Sequence, residues 1–393
     1  MISSAWRPER ESEVKFMDFL INNGSIFDAA EGKFTQGSLA IVNGHIARHE
    51  EGRSYRQVID ASGCLVLPGL IDYHVHYYLH GSENSVNPDA SSFCCGITTA
   101  VDGGSCGAGN YELYRRSFVA MSEVRILNCL LVASGGQSNN SYPENLDPAC
   151  FDEAKILELF SKYRDNLVAL KTRISRGIIS PELAGVSLMR TVEIAEKAGV
   201  RVVVHVTDCS LPLDEVADML RPGDVMCHIY HGRGENICLG KDGQVLPGLL
   251  KARERGVLFD ASNGRSNFDI EICRKAIEQG FTPDVISSDN NSGSWFLQPL
   301  HSLPRILSKF TALGMPLAEV LKTATSKPAE LIGRPELGNL AEGTPADVAI
   351  FRLKNKTVTH TDINGHTFTG NQVLVPMMTF KGGKCMYCQT DFA

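Results

Sequence analysis

The sequence predicts an α/β protein: a (β/α)8 barrel over residues 66–336, with a small β-sandwich assembled from residues 1–65 and 337–393. Three observations lead there. Strand-length apolar runs broken by turn residues fill the first part of the chain and return near its end. Between them, eight apolar runs alternate with helical patterns over about 270 residues, close to the usual size of such a barrel. Several of those runs end on a histidine or an aspartate, and the C-terminal ends of barrel strands are where that fold keeps its chemistry.

Taken in order, residues 1–12 are a polar start, and charges of both signs continue to Lys15 with no apolar stretch between them, unlike a secretory leader. Strands are expected within 19–24, 37–46 and 58–68. Asn23-Gly24 and Asn43-Gly44 each stand between apolar runs and predict hairpin turns, because both residues tolerate positive φ. Barrel strands are expected at 65–71, 98–102, 125–133, 167–172, 202–206, 225–229, 257–259 and 285–287. Helical patterns fall between most of them, as at 180–198 and 269–279, with further helices around 300–313 and 317–331. From Leu337 the texture is β again, so both chain ends are expected to share one unit.

The charge balance of 38 Lys+Arg against 45 Asp+Glu gives a formal net charge of −7, which does not suit a general nucleic-acid binder. No apolar run reaches the ~18 residues of a spanning helix. A cytoplasmic protein that acts on a small molecule, with neither membrane nor nucleic acid as partner, is expected. The 12 cysteines lack the spacing of a disulfide framework and read as reduced, mostly buried thiols. Cys385-x-x-Cys388 could be half a zinc site, but no second pair stands near it in the sequence, and it reads as an ordinary tail.

The strongest local signal is Asp72-Tyr-His74-Val-His76, directly after an apolar run. Residues i and i+2 of a strand share a face, so His74 and His76 are expected to converge at the rim. Neutral imidazoles in such a pair are good ligands for Zn²⁺ or a similar ion. A lone His-x-His would read as an exposed loop; the later strands decide. The fifth ends on His205, the sixth on His228 and the eighth on Asp289. One buried histidine is usually a satisfied core residue, but four histidines and an aspartate at one rim are hard to explain as core. The fourth strand carries Lys171 and Arg173, and alternation puts Leu167, Ala169, Lys171 and Arg173 on one face. An ammonium has no lone pair for a metal. A neutral lysine amine can react with CO₂ to give a carbamate, whose two oxygens can bridge two ions.

With these residues in place, the sequence resembles the binuclear amidohydrolase superfamily: His-x-His on strand one, Lys on strand four, His on strands five and six, Asp on strand eight. The resemblance runs from about Phe19 to Leu353 and includes the stretch Pro68-Gly-Leu-Ile-Asp-Tyr-His-Val-His76 and the late segment Gly343-Thr-Pro-Ala-Asp-Val-Ala-Ile-Phe351. The stretch from Gly96 to Asn110, Leu170-Lys-Thr-Arg173 and Gly223-Asp-Val-Met-Cys-His228 look closest to an amidohydrolase/deacetylase branch near the dihydroorotases and D-aminoacylases. The resemblance implies two divalent ions, zinc by default. One is held by His74, His76, Asp289 and the carbamate of Lys171, the other by the same carbamate, His205 and His228. It also implies that Asp289 moves a proton between the attacking water and the leaving group, and that the protein is a homo-oligomer.

Substrate contacts are expected from Arg173, whose fork suits a carboxylate or a carbonyl, although a rim salt bridge is the equal alternative. His231 and Arg233, and the Gly-rich loop around Ser105, are further candidates. The sequence departs from the resemblance at Asn263 and Asn290, where related enzymes are expected to carry histidine. The leading expectation is a hydrolase of an amide or acyl bond in a small carboxylated metabolite such as an N-acyl amino acid. The alternatives are a cyclic amidase of dihydroorotase or hydantoinase type, a mononuclear deaminase, which lacks the strand-four carbamate, and a non-catalytic scaffold, which tends to lose ligands.

Overall fold

A computed structural model describes residues 18–295 and 302–392. The predicted polar start at residues 1–12 lies outside the described residues. Two sheets organise the chain. The first contains β1 (Phe19–Asp28), β2 (Lys33–Val42), β3 (His45–Ala47), β4 (Gln57–Asp60) and β5 (Leu65–Pro68) from the start of the chain. The second is β6 (Leu70–Val75), β7 (Ile97–Asp102), β8 (Arg125–Leu131), β9 (Leu167–Arg173), β10 (Arg201–His205), β11 (Val225–Cys227) and β12 (Leu258–Asp260). Then β13 (Val348–Thr361), β14 (Thr367–Lys381) and β15 (Lys384–Cys388) return to the first sheet.

In the first sheet the order is β15-β14-β13-β5-β1-β2-β3, with β4 also paired to β1, so strands from the two chain ends join side by side at β13 and β5. Where the sequence suggests a sandwich of two sheets, hydrogen bonding runs through one continuous sheet. That sheet is strongly curled: β1 and β14 are three strand spacings apart, about 14 Å if flat, yet the Phe19 and Phe380 rings meet at 5.0 Å between centroids. The curl encloses its own apolar cluster, including Ile41, Val66, Val348 and Met377.

The two Asn-Gly pairs behave differently. Asn43 (φ 50°) and Gly44 (φ 80°) form the tight turn between β2 and β3 as predicted. Asn23 (φ 57°) instead sits inside β1, where the β1–β2 register slips between Ile21 and Gly24. The same left-handed preference here makes a bulge. A Cβ at Gly24 would lie 2.5 Å from Val66 Cγ2, so the bulge brings the backbone against β5.

The seven strands β6 to β12 are all parallel to their neighbours and stand in chain order. Helices lie between consecutive strands, for example Pro181–Ala198, which has Pro181 in its first turn and is closed by left-handed Gly199. Helix Ile270–Glu278 is capped by the Asp269 carboxylate on the Ile272 N–H at 3.0 Å. On the inner face, Ile71, Tyr73, Val101, Cys129, Ala169, Val203 and Cys227 pack into one cluster, sealed at one end by Ala329, Ile332 and Leu337.

Residues 285–290 touch both edge strands. A parallel bridge joins Val285 to Asp260 and another joins Asn290 to Val75. The N–H groups of Ala261 and His76 donate to the Val285 and Asn290 carbonyls at 2.9 and 2.8 Å. This segment is bridged rather than a regular strand, although the sequence predicts a strand at 285–287. The helix predicted at 317–331 is two, Leu317–Lys322 and Ser326–Leu331. Pro328 has no N–H to give to the Ala324 carbonyl four residues back. That carbonyl accepts from Ile71 N–H at 2.8 Å instead, which ties the break to the start of β6. Of the helix expected around 300–313, Leu303–Ala312 is present, and residues 300–301 lie outside the described residues.

Candidate metal centre and substrate cavity

The C-terminal ends of the parallel strands open into a polar cavity of about 260 Å³, and His74, His76, Lys171, Arg173, His205, His228 and Asp289 all line it. The backbone explains how. In β6 the pairing with β7 slips between Asp72 and Val75. Tyr73 belongs to the inner cluster and Val75 to the outer one, so alternation is broken between them. The break turns His74 inward with Tyr73, and His76 follows. In β9 a slip opposite Asn128 and Cys129 sends Leu167 to the outer cluster, while Ala169 stays inside. The predicted shared face therefore holds for Ala169, Lys171 and Arg173 but not for Leu167. His228 (φ 66°) and Asp289 (φ 49°) both have left-handed backbones, sparsely populated for residues with a Cβ and concentrated at functional sites.

His74 and His76 have ring centroids 5.6 Å apart, His74 and His228 5.0 Å, and His205 and His228 4.3 Å. A nitrogen or oxygen from each of His74, His76 and Asp289 lies within 4.8 Å of the other two, all buried. His76 Nε2 is 3.3 Å from Asp289 Oδ1. Burial pushes His74 and His205 well below the usual histidine range and His228 down to about 3. These imidazoles are neutral, with lone pairs available. Burial alone would raise Asp289, but its hydrogen bond to His76 holds it well below the usual carboxylate range.

Partners behind the rim fix the rings of His74, His76 and His228. Ser105 Oγ is 2.9 Å from His76 Nδ1. Ser262 Oγ is 3.0 Å from His74 Nδ1 and donates to Asp260 Oδ2 at 3.1 Å, while the Ser262 carbonyl is 3.0 Å from His228 Nδ1. Asn267 Nδ2 donates to Asp289 Oδ2 at 2.8 Å. Such outer partners set ring orientation and tautomer around a metal. The donor set, imidazole nitrogens with a carboxylate at mutual ligand distances, fits a divalent ion of zinc type.

Lys171 is fully buried, and its Nζ donates to Cys227 Sγ at 3.0 Å. That Sγ also lies within 4.8 Å of a nitrogen of both His74 and His228. Sequence reasoning missed Cys227 because alternation sends the residue before an inward His228 to the outer face. The left-handed turn at His228 lets both point inward. Asp260, Ser262 and Asn267 were missed as well; Asp260 at the end of the seventh apolar run was the available signal. Arg173 reaches the cavity but pairs with Glu144, which is only 5% exposed, and has Gln137 Oε1 at 3.4 Å. Ser105 and His231 stand behind the wall: both are fully buried, and His231 Nδ1 accepts from Arg233 N–H at 3.3 Å. Asn263 binds its own loop and accepts from buried Lys309.

The amidohydrolase family profile matches residues 153–386. A deacetylase of Brucella anthropi is 30% identical over 334 residues, covering 84% of this chain and 81% of that one. The chain belongs to the amidohydrolase family. It is a metal-dependent hydrolase of carbon–nitrogen bonds, and members of this family generally use a binuclear metal centre. A dihydroorotase crystal structure superposes with a TM-score of 0.85 at 28% identity, over 95% of this chain and 98% of that one. An adenine deaminase structure gives a TM-score of 0.86 at 24% identity, over 95% and 100%, and shares the fold. The profile match begins beyond β6 and does not include His74 and His76.

Proposed function

We propose that the protein removes an acyl group, acetyl being the first candidate, from the nitrogen of a small carboxylated metabolite such as an N-acyl amino acid. The observation that carries this reading is the buried convergence of His74, His76 and Asp289 at the floor of a polar cavity, beside neutral His205 and His228 and buried Lys171. The deacetylase relatives support the acyl group. In this reading residues 285–290 complete the barrel as its eighth strand. Residues 66–336 form the catalytic unit, and the two chain ends form the β-rich unit.

His74, His76 and Asp289 would hold one ion and His205 and His228 the other, with Lys171 joining them as a carbamate. Zinc suits the donors, and manganese, iron or cobalt is also compatible. Two such ions would supply Lewis acidity toward a carbonyl and would acidify a water. The chain's own residues do the rest. Asp289 is ionised, so one of its carboxylate oxygens takes the proton of the attacking water and returns it to the departing nitrogen. Asn267 holds that carboxylate in place. Ser105 and Ser262 orient His76 and His74. Arg173, steadied by Glu144, turns its remaining N–H groups toward the substrate carboxylate.

A cyclic amidase is the second reading, favoured by the similarity to the dihydroorotase structure. Purified protein with its metals quantified, tested on N-acyl D- and L-amino acids beside dihydroorotate and hydantoins, separates the two. Release of carboxylate from the acyl compounds is expected. Ring opening without acyl hydrolysis would transfer the assignment to the cyclic amidases, and metal-free protein with full activity would overturn both.

A further inference from the structure

The mouth of the cavity carries more positive charge than a single carboxylate can match. Arg176 follows β9, Arg233 follows β11 and Arg265 follows β12, and all three line the cavity. They are exposed, and none has a carboxylate within salt-bridge distance among the described residues. Arg173 differs, because Glu144 matches its charge. The acids on the wall are Asp289, held by His76 and Asn267, and Asp208. Asp208 lies against Gly234, where a Cβ would come within 2.4 Å of its Oδ1, and so sits next to Arg233. Three guanidinium groups against this one carboxylate leave a surplus of two positive charges at the mouth.

A second observation points to a ligand. Thr207 lines the same cavity and is 4% exposed, and its Oγ1 has no hydrogen-bond partner among the described residues. Buried Arg173 Nε is likewise unpartnered. Buried polar atoms are normally satisfied, and leaving one unmet costs free energy. Unmet donors in the wall of a cavity with surplus guanidinium charge suit oxygens of a bound anion, and the guanidinium fork matches phosphate and carboxylate geometry.

We propose that the substrate bears a dianionic group on the side away from the bond that is cut, either a phosphate monoester or a pair of carboxylates, and that Arg176, Arg233 and Arg265 select it. This rests on the acyl-hydrolase reading and narrows its substrate. The test uses N-acetylserine, N-acetyl-O-phosphoserine and N-acetylglutamate, in D and L forms, with metal-loaded enzyme. The dianionic compounds should exceed N-acetylserine in kcat/KM by about tenfold or more, the scale of a charge-assisted hydrogen bond, mainly through KM. Which of the two leads identifies the source of the charge. In the Arg233→Met/Arg265→Met double variant the ratio should fall toward one, with an unchanged thermal midpoint as the control for folding.

Calorimetric binding of the same three compounds decides the matter if none is hydrolysed. Tighter binding of a dianion that disappears in the double variant supports the anion site while removing the acyl-hydrolase reading. Equal treatment of all three compounds, or a preference that survives in the double variant, overturns the proposal.

Discussion

At the scale of single residues, His74, His76 and His228 are each held in one orientation by a hydrogen bond from behind, and burial keeps His74, His205 and His228 neutral. Lys171 is the exception, a fully buried amine whose hydrogen-bond partner is a thiol. Carboxylation would turn its charge from positive to negative where two cations are expected. Lys171→Ala should therefore bind about one ion fewer per chain by elemental analysis, and short carboxylic acids should restore part of both metal content and activity. A variant that keeps its full metal complement would reject the bridging role. Asp289→Asn keeps the hydrogen bond to Asn267 within reach but cannot take a proton. It should fold normally and lose at least about a hundredfold in kcat; turnover near that of the parent would show that another group moves the proton. The ring of histidines and Asp289 was legible in the sequence because each ends an apolar run. Cys227, Ser262 and Asn267 were not, because left-handed turns and contacts between residues distant in the chain put them there.

At the scale of elements, a buried ion network fastens the two sheets together. Asp347, just before β13, accepts from Arg125 of β8 at 2.7 Å, from Lys381 of β14 at 3.0 and 3.1 Å, and from Gly382 N–H at 2.8 Å. Burial by itself would raise Asp347, but the charges of Lys381 and Arg125 hold it below the usual carboxylate range. A carboxyl lowered in the folded state contributes stability above its unfolded value of about 3.9 and loses that contribution as pH falls through the folded value. Asp347→Asn should cost about 3 kcal/mol in a denaturant titration near pH 7, the scale for breaking a buried pair. The cost should shrink as acid protonates the parent. A cost independent of pH would mean that packing, not charge, holds this joint. The elements themselves were mostly readable. What escaped depends on register: one Asn-Gly pair turns a hairpin and the other bulges β1, and the helix breaks before Pro328 at the carbonyl that Ile71 claims. Residues 285–290 form two bridges and not a regular strand, and three of their side chains bond around the centre: Ser287 to Asp260, Ser288 to Asp72 and Asp289 to His76.

At the scale of the whole molecule, the candidate ligands come from β6, β9, β10, the residue after β11, and the 285–290 segment, so the centre spans the full width of the parallel sheet. On the β12 side residues 284–288 share five backbone bonds with residues 259–264, but on the β6 side the edges meet, among the described residues, through little more than His76 N–H to Asn290. Ions shared between His74 and His76 on one side and Asp289 on the other would close the edge that secondary structure leaves thin. Any ligand that binds only the folded state stabilises it by mass action, roughly 2.7 kcal/mol at a hundredfold excess over its Kd. Removing metal with a chelator should therefore lower the thermal midpoint, and readdition of zinc should recover it. The loss should also be local. Amide hydrogen exchange at His76 and Ala261 should accelerate in the metal-free protein, while the β13–β14 hairpin in the other sheet keeps its protection. Uniform acceleration in both sheets would mean that the centre supports global folding and not this edge in particular. No change in either sheet, with metal demonstrably removed, would mean that the histidines and Asp289 are fully preorganised by their own hydrogen bonds.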